Sequence, residues 1–337
     1  MKESELRFFM EILKRDSTTG QERKLADKLL AHLRSENINA EFAPTPSDAC
    51  QPANVYARWG EPDIVFCTHL DTVPPYIPPV FDGDEVRGRG ACDAKGQIIS
   101  MYLACKRLAA EGATNFGMLL LHGEETGSFG AKEFRNLPGG NLVVVGEPTN
   151  NRMVKASKGT KAFAVTVTGK SFHSGYPENG DNAIDRFIDF ATAVRKKEFP
   201  FDPVLGATTF NIGKLTSDNP QNIISDKVCC KVYFRTTFAS DKAVCDFMAS
   251  QATDNIRIEA LGGDTPMNYM TLPGFATTTV SFGSDAPQLT NFKERILCGP
   301  GSILVAHRPE EHISVGEIDK AVNQYVDIYH SYKKLKQ

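Results

Sequence analysis

The sequence predicts an α/β fold with a largely parallel central sheet flanked by helices, into which a smaller α+β domain is inserted. Two observations carry this. Strand-like and helix-like runs alternate from the start to about residue 154, as in βαβ units. From 155 to 270 the pattern shifts to period-two strands paired with amphipathic helices, and from 271 to 337 it returns to turn-rich loops and a long last helix. The chain is therefore divided into a main domain built from 1–154 and 271–337 and an inserted domain at 155–270. With 337 residues it is long enough for a large core and two lobes.

The elements follow in order. MKESELRFFMEILKRDS carries charges through its apolar positions, which argues against a secretory signal. It reads as an amphipathic helix burying Leu6, Phe9, Met10 and Leu13. A second helix is expected from about Gln21 to Glu36, its caps supplied by the Ser and Thr of STTGQE. VYARWG and DIVFCTHLD read as strands, QIISMYLACKRLAAEG as a helix and FGMLLLHGEE as a strand. AKEFRNL reads as a helix and NLVVVGEPT as a strand ending in a turn. In the insert, KAFAVTVTGKSFHSG alternates with period two and DNAIDRFIDFATAVRKK is an amphipathic helix. ATTFNIGKLTS and NIISDKVCCKVYFRTTF then read as paired strands, DKAVCDFMASQAT as a helix and IRIEAL as a strand. The resulting β-α-β-β-α-β order is ferredoxin-like.

Composition narrows the function classes. Hydrophobic content of 41% and charged content of 23% are those of an ordinary globular protein. A net charge of -3 offers no electrostatic footprint for nucleic acid, and no run of about twenty apolar residues suits a membrane. The eight cysteines (50, 67, 92, 105, 229, 230, 245, 298) form no CxxC pair, which fits buried reduced thiols in a cytoplasmic protein.

The residues with chemistry gather at strand ends, where ligands of parallel sheets bind. His69 and Asp71 follow DIVFC, and Asp93 precedes a helix in GRGACDAKG. Glu124 and Glu125 close FGMLLLHG, Glu147 closes NLVVVG, and His307 lies in GPGSILVAHRPEEH. A lone strand-end histidine is more often a structural group, and the glutamate pair alone could be solvated acids. Five acid and imidazole groups on one sheet edge, however, would repel and resist burial without a compensating cation. Imidazole with carboxylate is ligand chemistry for zinc, or for cobalt or manganese.

Six motifs spread in order along the chain, HLDTVP, GRGACDAKG, HGEETGSFGA, VVVGEPT, FHSGYP and GPGS followed by AHRPEEHI, carry a resemblance. The chain resembles the acetylornithine deacetylase, succinyl-diaminopimelate desuccinylase and carboxypeptidase group of dinuclear zinc hydrolases. The resemblance implies a zinc-peptidase type of sheet and an insert that serves as lid and dimerisation domain. It implies two divalent metal ions, zinc or cobalt, with Asp93 bridging them, His69 and Glu147 completing one, and Glu125 and His307 the other. Asp71 would orient the His69 imidazole, and Glu124 would be the general base. His173 would stabilise the oxyanion across a homodimer interface; alternatively it is a turn histidine. Asn222 and Arg235 would hold the substrate, the arginine through its carboxylate, and Ser284 would stand in a substrate-binding loop. The resemblance also implies a cis Asp93–Ala94 bond.

Two departures stand out: Ser225 replaces a usual proline, and Gly123 replaces an acidic or hydroxyl residue. His312 competes with His307 as last ligand, but the GPGS-to-AH spacing selects His307 and leaves His312 in an exposed loop. His32, His122 and His330 lie outside any motif. The expected activity is deacylation of a small N-acyl amino acid in arginine or lysine biosynthesis. A dipeptidase or aminopeptidase is the alternative. An inactive binding protein would have lost a ligand or the base, and none is lost.

Overall fold

A computed structural model describes residues 1–44, 48 and 51–336, so Cys50 lies outside the described residues. In chain order the elements begin with α1 (Glu3–Leu13), α2 (Arg23–Ser35), β1 (Asn39–Phe42), β2 (Val55–Trp59) and β3 (Ile64–His69). Next come β4 (Val80–Asp82), β5 (Glu85–Arg87), α3 (Lys95–Ala110), β6 (Phe116–Leu121), α4 (Phe129–Phe134), β7 (Leu142–Val145) and β8 (Met153–Ser157). They continue with β9 (Gly159–Thr168), α5 (Ala183–Lys196), β10 (Thr209–Thr216), β11 (Lys227–Thr236), α6 (Asp241–Ser250) and β12 (Ile256–Gly262). The last are β13 (Met267–Asn268), β14 (Thr277–Val280), β15 (Glu294–Leu297), β16 (His312–Ser314) and α7 (Val315–Leu335). The chain forms two compact units, Met1–Lys155 with Tyr269–Thr278 and Ser284–Gln337, and Ala156–Asn268 with Thr279–Gly283.

In the first unit a six-stranded sheet has the order β1-β2-β6-β3-β7-β15. β6, β3, β7 and β15 run parallel, while β1 and β2 add an antiparallel margin. Every residue of β3, β6 and β7 is buried, because helices cover both faces of a parallel sheet and select unbroken apolar runs. Helix α3 is buried along most of its length and packs beside α7. Each large apolar side chain so buried contributes about 1.5–3 kcal/mol. Gly96 lets α3 start tight against the preceding turn, since a Cβ there would come within 2.3 Å of the Ala91 carbonyl oxygen.

The sequence misleads in a few places. Helix α1 buries Phe8 and Ile12 together with Phe9 and Leu13, leaving Leu6 and Met10 only partly covered. Helix α2 starts at an uncapped Glu22. The two threonine hydroxyls of STTG are engaged elsewhere: Thr18 Oγ1 donates to Asp16, and Thr19 Oγ1 donates to Asp71. Strand β15 (ERIL), hidden between charged residues, extends the parallel sheet beyond β7. His312 sits at the start of β16, paired with Arg87 of β5, rather than in a loop.

The second unit is an antiparallel sheet of order β10-β11-β9-β12 with α5 and α6 packed on it. Alternate residues of β11 are buried, and Val228, Cys230, Val232 and Phe234 meet Phe190 and Val194 of α5 and Val244 and Met248 of α6 in one core. Ser225, at the usual proline position, is buried and its hydroxyl lies 2.7 Å from that of Ser217. The seven described cysteines are all free, and five are buried. Among the described residues no helix is long and apolar enough to cross a membrane.

Candidate metal centre

Four adjacent parallel strands each feed the same edge of the first unit. His69 is the last residue of β3; Glu124 and Glu125 follow β6, and Glu147 follows β7. His307 lies in the loop after β15, and Asp93 sits in the turn before α3, followed by a cis Asp93–Ala94 bond. The structure brings five of these groups into two clusters, His69–Asp93–Glu147 and Asp93–Glu125–His307, with ligand atoms within 4.8 Å of one another in each.

Asp93 faces both ways. Its Oδ1 lies 3.0 Å from His69 Nε2, and its Oδ2 lies 3.3 Å from His307 Nε2. His307 Nε2 is also 3.0 Å from Glu125 Oε1. On the far side of the His69 ring, Nδ1 donates to the main-chain carbonyl of Asp71 at 2.9 Å, which leaves the Nε2 lone pair for a ligand. The Asp71 carboxylate is farther from that ring, at 3.4 Å. Its oxygens accept the main-chain N–H groups of Glu124 (3.0 Å) and Glu125 (3.1 Å) and the Thr19 hydroxyl (2.8 Å). Asp71 therefore orients the imidazole mainly through its backbone, and its side chain fixes the glutamate pair.

The backbone shows further tailoring. His307 has φ 64°, a left-handed conformation that is uncommon for a non-glycine residue, though histidine adopts it more readily than most. Gly123 has φ +66°, and a Cβ there would approach the Phe129 ring to 2.9 Å. The departure at Gly123 thus matches the position of Phe129.

Electrostatics fit the crowding. Burial pushes the Glu124 and Glu147 carboxyls well above the ordinary range, and Asp93 raises both further. Burial also opposes charging of Asp93, but His307 and His69 outweigh it and hold its carboxyl well below the usual range. Asp93 and Glu125 lift His307 to about 10. Glu147 Oε1 is buried without a hydrogen-bond partner among the described residues, an open acceptor at the end of the first cluster. A divalent cation in each cluster would satisfy that oxygen and offset the repulsion among the acids. The donor set, carboxylates with one imidazole each, suits such ions.

The remaining candidates lie elsewhere. In the second unit, the His173 and Asn222 segments are tied by a hydrogen bond from Ser174 N–H to the Asn222 carbonyl at 2.9 Å. His173 is exposed, and its Nδ1 accepts the Gly175 N–H at 3.1 Å, placing the proton of the neutral ring on Nε2. Arg235 lies on β11 over the Tyr233 ring, with no ion pair among the described residues. Ser284, in the first unit, is buried and its hydroxyl accepts the Ala286 N–H at 3.3 Å. The charge of its neighbour Asp285 also acts on Glu124 and Glu147. Asp285 is 1% exposed, and burial lifts it to about 7. Glu22 is likewise fully buried, with neither oxygen partnered. Neither acid stands out in the sequence, because each sits beside turn residues as surface acids do. The other histidines are structural: His32 stacks on Phe8 at 3.9 Å, and His122 and His330 lie beside Glu133 and Glu111.

The comparisons with known proteins agree with this geometry. A family model described as peptidase family M20/M25/M40 matches residues 65–331. A peptidase M20 domain-containing protein of Schizosaccharomyces pombe is 31% identical over 92% of this chain and 80% of its own length. A probable carboxypeptidase of Emericella nidulans is 31% identical over 92% of this chain and 85% of its own. Among solved structures, a Staphylococcus aureus tripeptidase superposes with a TM-score of 0.78 at 19% identity, covering 96% of each chain. A metallo-carboxypeptidase of Sulfolobus solfataricus superposes at 0.77 and 16% identity, covering 98% of this chain and 99% of its own. At such identities the two structures speak for the fold alone, whereas the family match covers most of the chain. A strand-edge cluster of two imidazoles and shared carboxylates, set in that sheet, makes this chain a metal-dependent hydrolase of peptidase family M20/M25/M40.

Proposed function

We propose that the protein hydrolyses an amide bond whose nitrogen carries a residue with a free α-carboxylate, the first candidate being a small N-acyl amino acid of the acetylornithine type. Such an activity would serve arginine or lysine biosynthesis in the cytoplasm. The observation that carries the amide chemistry is Asp93 turned towards two histidines, with Glu125 and Glu147 completing the pair of clusters. When bound there, two divalent ions such as zinc or cobalt supply Lewis-acid polarisation and a water acidified towards neutrality. Glu124 is the general base: it stands next to Glu125 yet belongs to neither cluster, which leaves its carboxylate free to take a proton from water and return it to the leaving amine. Asp71 keeps the His69 tautomer and the Glu124 backbone in place. Arg235 takes the substrate carboxylate as a fork, which suits a guanidinium without an acid partner. His173 donates from Nε2 to the developing oxyanion, and Asn222 and Ser284 complete the substrate contacts.

A second reading, cleavage of the last bond of a short peptide, is supported by relatives named probable carboxypeptidases. Both readings share an amide next to a carboxylate. A turnover screen with added Zn²⁺ or Co²⁺ separates them, using acetylornithine, acetylcitrulline and their succinyl counterparts against dipeptides and N-blocked dipeptides. Turnover confined to the peptides replaces the first reading by the second. We also propose a homodimer formed through the second unit. Its edge strand β10 leaves one ladder side unpaired and carries exposed Phe210 and Leu215, an arrangement that invites pairing with another chain.

A further inference from the structure

Away from the ligand clusters, one buried carboxylate, carried by the loop of His307, is surrounded by donors from the turn that carries Asp93. Glu311 is fully buried. Its Oε1 accepts three main-chain N–H groups, from Gly90 (3.0 Å), Cys92 (3.1 Å) and Asp93 (3.0 Å). Its Oε2 meets Arg89 Nη1 at 2.6 Å, and Arg89 is only 2% exposed. The same Arg89 nitrogen donates to the main-chain carbonyl of Arg308 at 3.3 Å, and Arg89 Nε donates to that of Pro75 at 3.3 Å. Gly88 N–H donates to the Glu311 carbonyl at 2.9 Å. The turn 88–93 is thereby gripped by a side chain arriving from the His307 loop, and its own arginine grips that loop in return.

These contacts separate Glu311 from the ligands. Both of its oxygens are filled by protein donors, while the ligand carboxylates face imidazoles and one another. A carboxylate shared by three N–H groups and a guanidinium makes charge-assisted bonds of fixed direction. The bonds reach the backbone of Asp93 itself and of Arg308, the residue after His307.

We propose that Glu311, with Arg89, is a positioning residue of the metal centre, holding Asp93 and His307 at the separation two ions require. The inference rests on the assignment of Asp93 and His307 as ligands. Groups that orient ligands from behind commonly change metal affinity by 10–100-fold when lost. Glu311→Gln keeps an acceptor for the N–H groups but turns an amide towards Arg89. Arg89→Lys keeps the charge and loses the planar guanidinium that reaches Glu311 and Arg308 through Nη1 and Pro75 through Nε.

The test is Zn²⁺ titration of EDTA-stripped protein against a chromophoric chelator, for the wild type, Glu311→Gln, Arg89→Lys and Asp93→Asn. Circular dichroism and the melting temperature of the metal-free forms are measured alongside. Glu311→Gln is expected to weaken at least one Zn²⁺ by tenfold or more, with kcat reduced and KM near wild type. Arg89→Lys is expected to weaken it about threefold to tenfold, and it decides the matter if Glu311→Gln does not fold. Folded variants with a lower melting temperature but both Zn²⁺ affinities within twofold of wild type overturn the proposal, because packing alone would then explain the pair. Asp93→Asn distinguishes the two failures. If it loses Zn²⁺ while the other variants do not, the positioning role alone falls; if it binds two Zn²⁺ normally, the ligand assignment falls and takes the proposal with it.

Discussion

Oδ1 of Asp71 accepts the main-chain N–H of Glu124 at 3.0 Å, so a buried acid on one strand-end loop sets the backbone of the proposed base on the next. Its other oxygen serves Glu125 and Thr19, and the residue is fully buried. An asparagine can offer only one acceptor oxygen to these donors. Asp71→Asn is therefore expected to lower Zn²⁺ affinity by about 10–100-fold and to reduce kcat as well. Chelator competition and steady-state rates check this. Unchanged values of both would reduce Asp71 to a packing group.

Glu124 belongs to neither ligand cluster. Glu124→Gln is expected to keep two metal ions per chain while kcat falls by about 10²–10⁴-fold. Metal analysis of the same preparation used for kinetics makes the comparison. A rate within tenfold of wild type would assign proton transfer to another group.

Removing the ions should expose the repulsion among Asp93, Glu125 and Glu147. Chelation is expected to abolish turnover and lower the melting temperature, and added Zn²⁺ or Co²⁺ to restore both. At a metal concentration 100 times Kd, one site adds about 2.7 kcal/mol to stability. For a chain of this size that is roughly 4 °C. Full activity after exhaustive dialysis against chelator, with no residual metal, would contradict a metal-dependent reaction.

Asp285 gives a pH prediction of definite sign. In the folded, metal-free protein its carboxyl titrates at about 7, against 3.8 for the ordinary residue. The folded state keeps a proton that the unfolded chain has released, so stability falls as pH rises from about 4 to about 7 and levels off above it. The ceiling on this effect is about 4 kcal/mol. Asp285→Asn should raise the melting temperature of EDTA-treated protein at pH 8 and change it little at pH 4. An equal effect at both pH values would show that ionisation is not the cause.

The edge strand β10 predicts the assembly. Leu215→Lys places a charge on an exposed apolar position of that strand, a natural device against strand pairing. Light scattering should report a dimer for the wild type and a monomer for the variant, with the second unit still folded.

Much of this was legible before any coordinates. The parallel strands β3, β6 and β7 are unbroken apolar runs, and each ends at or just before a proposed ligand or base, so strand and chemistry are read together. The five proposed ligand positions also lie in recognisable motifs. Residues that act from behind them were not legible. Glu311 follows Glu310 in a polar stretch and gives no sign that it is buried, because its partners, three backbone N–H groups and the Arg89 guanidinium, lie 218 to 222 positions away. Thr19 resembled a helix cap until its hydroxyl was found on Asp71. Asp285 carries no motif signal of its own, and the resemblance points only to its neighbour Ser284. In each case the deciding quantity is a long-range contact, which local pattern does not encode.

The insertion has a consequence for how the protein is made. Glu125 and His307 share one cluster yet stand 182 residues apart, with the whole second unit spelled between them. At ordinary translation speeds of about 5–20 residues per second, the glutamate leaves the ribosome roughly 10–40 s before the histidine. For that interval the nascent chain holds Asp93 and Glu125 without their imidazole partner. An ion held by both residues could therefore bind only late in the making of the molecule, and the insert accounts for most of the delay.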